Sequence, residues 1–175
     1  LSGRRAEDPD SRDAAVALDC GIQLRGSIDL VERNASGSLR VTDHKTGKAR
    51  VAKGAVIFGG AALQPVLYAL AVEKIFASAK VEAGRLYYCT FTGGYEERVV
   101  PLDAEVRAAA TRVAETIGGA IAEGFLPAAP SKRACQWCDY RAVCGPYEEL
   151  RTARKPRKPI EPLTGWPRSH SLIDP

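Results

Sequence analysis

Two runs of alternating residues joined by a turn constrain this chain more than any other feature. Over 21–32, GIQLRGSIDLVE, the residues Ile22, Leu24, Gly26, Ile28 and Leu30 fall on one side and Arg25, Ser27 and Asp29 on the other. That is the period-2 pattern of a half-buried strand. Over 38–45, SLRVTDHK, alternation resumes with Leu39, Val41, Asp43 and Lys45 on a shared side. The intervening RNASG (33–37) is rich in turn formers, so the two strands predict a hairpin. Asp29 is expected to face away from the Ile/Leu stripe. Asp43 and Lys45 project together, their Cα atoms roughly 6.6 Å apart by strand rise, and Asp29 can reach the same spot from the strand before.

Beyond the hairpin, 61–79 predicts a helix with Leu63, Val66, Leu67 and Leu70 at helical spacing and Pro65 in its first turn. RLYYCTF and YEERVVPL flank Thr92-Gly93-Gly94 as a second hairpin. Asp103 is the expected N-cap of a helix running to about Glu123 and stopped by Gly124, and a short helix is expected around Asp139 to Val143. Strand, strand, helix, strand, strand, helix predicts an α/β (α+β) fold with helices packed on a small mixed central sheet.

At 175 residues the chain has the length of one domain, and no apolar run approaches the roughly 20 residues that span a bilayer, so no membrane partner is expected. It contains no methionine and starts at Leu1, as a piece cut from something longer would. The segment 1–13 is polar and lacks the apolar stretch of a secretory signal, so a cytoplasmic location is expected. The domain reading is a polar N-terminal segment at 1–13, a core with a cysteine-rich end at 14–147, and a basic, Pro-rich tail at 148–175. Net charge is +4, yet five of the nine residues in RTARKPRKP (151–159) are basic, among prolines that oppose regular structure. A solvated tail and a polyanion-binding segment are both open readings.

Two carboxylates and one ammonium converging on one cavity would repel unless a cation lay between the acids. Mg²⁺ suits such a place, since it takes one or two carboxylates and completes its shell with water and substrate phosphate. The lysine would then position a water or neutralise charge building on phosphorus, which is chemistry for phosphodiester hydrolysis. An exposed Asp–Lys ion pair is the plainer alternative. Gln64 and Tyr68, four apart on one helix, lie about 6 Å from each other at Cβ and flank the leucine stripe. They suit a phosphate or metal-bound water and an unpaired base, or equally a core-edge tyrosine beside a solvent glutamine.

The combination GSID, DHKTG and QPVLY resembles the PD-(D/E)xK nuclease superfamily in its RecB-like branch, which includes RecB and AddB nuclease domains and CRISPR-associated exonucleases. The likeness covers roughly 20–147. It implies a restriction-endonuclease-like core, Asp29 and Asp43 as ligands of Mg²⁺ or Mn²⁺ with the backbone carbonyl of His44, and Lys45 as the catalytic lysine. It further implies that Gln64 and Tyr68 face DNA. The implied protein is a metal-dependent deoxyribonuclease, more an exonuclease than an endonuclease, acting on a single-stranded or unwound DNA end beside a helicase domain or subunit in repair or recombination. A noncatalytic DNA-binding or scaffolding module on the same fold is the rival. Thr46-Gly47-Lys48 is not a phosphate loop, because the glycine that should open it is missing and Ala49 follows the lysine.

Of five cysteines, Cys135, Cys138 and Cys144 crowd into ten residues, spacing that suits thiolates around one metal centre. In the family this triplet resembles three ligands of a 4Fe-4S cluster whose fourth lies upstream; a zinc site and free packed thiols are alternatives. The resemblance implies a fourth ligand ahead of the first catalytic strand, where Cys20, at the start of that strand, is the one candidate in the sequence and a poor match to the family position, while Cys89 reads as a small packing residue within a strand. The chain also departs from the family, many of whose members carry a histidine on a helix before the first catalytic strand. Its two histidines are His44 and His170.

Overall fold

The computed structural model describes residues 14–19, 21–51, 53, 63–125, 128, 130 and 133–156. The segment 1–13, Cys20, His170 and the tail beyond 156 lie outside them. A four-stranded sheet is ordered β3-β4-β5-β6, from β3 (Leu30–Arg33), β4 (Leu39–Lys45), β5 (Val81–Tyr88) and β6 (Glu97–Pro101). The outer pairs are antiparallel and β4 pairs β5 in parallel. The parallel step needs a crossover, supplied by α1 (Leu63–Ile75). This is the mixed sheet that the element order predicts.

The first alternating run divides. Val16–Ala17 (β1) and Gln23–Leu24 (β2) form a small separate ladder, closed by a turn with Gly21 at φ 82°. Burial alternates from Gly21 to Ile28, and then the phase slips. Ile28 packs on the core, whereas Leu30 lies across from Thr42 and is exposed, against the expectation that both line one stripe. The backbone between Arg25 and Asp29 leaves the ladder, so alternation restarts at β3. The slip matters for Asp29. A continuous strand would have put it on the face opposite Asp43, but the β3–β4 register carried one residue past Leu30↔Thr42 sets it across from Asp43.

The turn at 34–37 is held by Asn34, whose Oδ1 accepts from the backbone N–H of Ser36 and Ser38, with Gly37 at φ 86°. One face of the sheet, Leu39, Val41, Val81 and Val100, packs with Val66, Ala69 and Val72 of α1 and with Val106 and Ala110 of α2 (Ala104–Ala122). The buried positions of α1 are Pro65, Val66, Ala69, Ala71 and Val72, so of the expected stripe Val66 enters the core, whereas Leu63 and Leu70 pack at cluster edges and Leu67 is half-buried. Close approach explains the choice. A Cβ at Gly84 of β5 would fall on the Pro65 carbonyl, 2.6 Å from its carbon, so helix backbone rests on strand backbone there. Arg107 of α2 clamps Glu73 of α1 by two bonds of 2.7 Å.

Asp103 caps α2 through Val106 N–H at 2.8 Å, and Gly124 at φ 65° ends the helical path, both as expected. Cys89 falls just beyond β5, rather than within a strand. Past a 3₁₀ turn at Ala134–Trp137 come the short helices α3 (Arg141–Cys144) and α4 (Glu148–Ala153). The latter carries buried Thr152 and extends into RTARKPRKP, so the first residues of that basic run are helical despite the prolines that follow. No helix among the described residues is long and apolar enough to cross a membrane.

Candidate active site at the end of strand β4

Strand β4 carries an apolar start and a charged end on one face. Leu39 and Val41 enter the core, Asp43 follows at 6% exposure, and Lys45 is half-buried at the rim. Lys45 Nζ lies 2.6 Å from Asp43 Oδ2, at an angle outside hydrogen-bond geometry. The same Nζ donates to Gln64 Oε1 at 2.8 Å, and Gln64 Nε2 donates to Tyr68 Oη at 3.2 Å. The i, i+4 spacing on α1 thus aims both side chains along one path, ending on the strand lysine. The ring of Tyr68 is partly buried against the core, with its hydroxyl close under Gly26, where a Cβ would lie 3.1 Å away.

Asp29 reaches the same strand end from the other side. Its Oδ2 accepts from the backbone N–H of His44 at 2.7 Å and lies 3.7 Å from His44 Nδ1. Asp29, Asp43, Lys45, Gln64 and Tyr68 are therefore brought to one strand end and the helix beside it. The imidazole of His44 meets the edge of Tyr87, with ring centroids 5.9 Å apart.

One atom stands out chemically. Asp43 Oδ2 is buried and, among the described residues, has no hydrogen-bond partner. A buried carboxylate oxygen left with only an off-axis ion pair is expensive, and a hard divalent cation is the partner such an oxygen prefers. Two carboxylates fit Mg²⁺ or Mn²⁺, which need few protein ligands when water and phosphate fill the rest. No group of three or more His, Cys, Asp or Glu among the described residues is arranged to hold a metal.

That statement also covers the cysteines. Cys135 is buried, Cys144 half-buried and Cys138 exposed, all as free thiols. Burial pushes the Cys135 thiol up, and the nearby charges of Glu149, Glu148, Cys138 and Cys144 push it the same way. The three sulfurs feel one another without forming a ready-made centre.

The opposite face of β4 escaped the sequence reading. Thr42, fully buried, donates to Glu32 Oε2 at 2.7 Å and accepts from Arg85 Nε at 3.0 Å. Arg85 also meets Glu32 at 2.8 Å and Glu97 at 3.1 Å, and Arg40 binds both Glu32 oxygens at 3.2 Å. These partners are up to 53 residues apart in sequence, and pairwise spacing carries no signal for them.

Comparison with protein families matches residues 1–145 to the PD-(D/E)XK nuclease superfamily. No curated protein matches the chain. The mixed four-stranded sheet with flanking helices is consistent with the restriction-endonuclease-like fold.

Proposed function

This chain belongs to the PD-(D/E)XK nuclease superfamily, and from that premise we propose a Mg²⁺- or Mn²⁺-dependent deoxyribonuclease centred on Asp29, Asp43 and Lys45. The observation that carries the reading is the buried Asp43 oxygen without a hydrogen bond, next to a lysine held in place by Gln64. Asp29, Asp43 and the His44 carbonyl would hold the ion, which supplies charge neutralisation at phosphorus and an acidified water.

The chain's own groups do the rest. Lys45 keeps its ammonium at the rim, where it can meet a phosphate oxygen as charge builds there. Gln64 fixes the Lys45 rotamer from one side and Tyr68 fixes Gln64, so the pair acts on the lysine before it acts on DNA. Apolar Leu39 and Val41 immediately behind Asp43 lower the local dielectric and strengthen each of these contacts.

We further assign the protein to the RecB-like branch, as an exonuclease module working with a helicase domain or subunit on a single-stranded or unwound end. The support is the residue set GSID, DHKTG and QPVLY. The cysteine segment would then hold a 4Fe-4S cluster once a fourth ligand joins, since free thiols become ligands as the metal displaces their protons. Iron and acid-labile sulfide in anaerobically purified protein check that assignment.

The deciding experiment follows end-labelled single-stranded and duplex DNA with Mg²⁺, with Mn²⁺ and with chelator, for the wild type and Asp43→Asn. Metal-dependent cleavage lost in the variant, with DNA binding kept, is expected. Binding without cleavage by the wild type would instead mark a noncatalytic module.

A further inference from the structure

The turn joining β5 to β6 carries two exposed aromatic rings, Phe91 at 89% and Tyr95 at 61% exposure. A scattered surface ring needs no explanation, but this pair stands on a turn bolted to the candidate site. Cys89 N–H donates to the Lys45 carbonyl at 3.0 Å, and Thr90 Oγ1 donates to the Thr46 carbonyl at 2.9 Å. At Gly93 a Cβ would lie 2.9 Å from the Gly47 carbonyl and 2.7 Å from the Tyr88 Cβ, so the turn can press on the DHKTG loop only because it has glycine there. Tyr95 is held at φ 54°, a left-handed conformation that costs a tyrosine energy and is retained where the surroundings enforce it.

The loop facing this turn is pinned as well. Its start is held at Thr46, and its end is held where Arg98 Nε donates to the Val51 carbonyl at 2.6 Å. Between these ties Lys48 and Arg50 are exposed. Two exposed cations and two exposed rings therefore stand on segments tethered to each other and to the strand end at Lys45. A polyanion approaching two carboxylates needs positive charge nearby, and unpaired bases stack on exposed rings.

We propose that Phe91 and Tyr95 form a stacking platform for unpaired bases of single-stranded DNA, with Lys48 and Arg50 holding its phosphates beside the Asp43–Lys45 site. The proposal rests on the nuclease reading for its substrate and adds the residues that select single strands over duplex. Within a duplex both faces of every interior base are covered by its neighbours, so the platform should discriminate by strandedness and tolerate any sequence.

The test measures fluorescence anisotropy of a labelled 20-nucleotide single strand and of its duplex, and quenching of a 2-aminopurine placed in the single strand. Full-length protein in an Asp43→Asn background keeps the DNA intact. Phe91→Ala is expected to weaken single-strand binding about fivefold to a hundredfold and to abolish the quenching. Duplex binding should stay within about twofold, Phe91→Trp should restore both signals, and Tyr95→Asn, which tolerates the left-handed backbone, should weaken single-strand binding too. Lys48→Gln with Arg50→Gln should instead flatten the salt dependence. Unchanged single-strand affinity in the ring variants, or an equal loss on duplex, overturns the platform.

Cleavage by the parent enzyme separates the two readings. If wild type cleaves DNA while the ring variants bind as wild type does, the platform alone fails. If wild type binds single strands through its rings yet never cleaves, the platform stands and the nuclease reading fails. A wild type that binds no DNA sinks both.

Discussion

The paired strands β3 and β4 carry two acids on opposite faces of the sheet, and they are treated differently. On one face Glu32, reaching across from β3, is met by Arg40, Arg85 and Thr42, each in hydrogen-bond geometry. On the other, Asp43 is more deeply buried, yet its Oδ2 has an ammonium alongside and no hydrogen bond among the described residues. A polar group satisfied within the chain serves the fold. A buried one that the chain leaves short invites an outside partner, and the contrast separates structure from chemistry on opposite faces of two paired strands.

The sharpest way to break this contrast is to remove each acid in turn. Asp43→Asn should lower metal-dependent cleavage by about 10²–10³-fold or more, with thermal unfolding nearly unchanged, whereas Glu32→Gln should leave cleavage within a fewfold. If Glu32→Gln were the silent enzyme and Asp43→Asn the active one, the faces would have been misassigned. Lys45→Met comes next, with an expected loss of about 10²-fold in turnover. Gln64→Ala should reproduce part of that loss, because the ammonium loses the amide that holds it.

Stability should rank the faces in the opposite order. Glu32→Gln weakens charge-assisted bonds to two arginines, one of them largely buried, and should cost about 2 kcal/mol in urea unfolding. The same acid makes the fold sensitive to pH. The hydrogen bond from Arg40 is the chief influence holding its carboxyl below the usual range; burial opposes it, and Thr42 and the Arg85 charge reinforce it. A lowered folded value means that this stabilisation is present above about pH 4.5, the unfolded value, and is lost as pH falls through the folded one. Wild type should thus lose more stability than Glu32→Gln between pH 5 and pH 3. The smallest effect belongs to the Glu73–Arg107 clamp, half-exposed on both sides, where Glu73→Gln should cost only about 0.5 kcal/mol and less in high salt.

What could be read in advance follows the range of the forces involved. Period-2 alternation in 38–45 fixed the shared face of Asp43 and Lys45, and the Asp103 cap and Gly124 stop bounded α2, because each is a local rule acting over a few residues. Asp29 was legible as a residue but not in its direction. The phase slip between Ile28 and Leu30 comes from the chain leaving one small ladder to join a larger sheet, a tertiary event. The Glu32–Arg85 network and the tie between Thr90 and Thr46 were hidden for the same reason, since their partners meet only after the crossover. In α1 the expected stripe was right at Val66 and only peripheral at its leucines, because the helix backbone rests directly on Gly84 of the sheet and the centre of the contact falls on Pro65, Val66, Ala69 and Val72.

That approach has a further consequence. Gln64 stands next to Pro65, whose carbonyl lies against Gly84, so the missing methyl group on β5 acts as the spacer gauge for the site. Any side chain at position 84 would lift the helix and carry the amide away from the lysine. The selectable dimension of the proposed site is thus a thickness, set on a strand that carries none of its proposed residues.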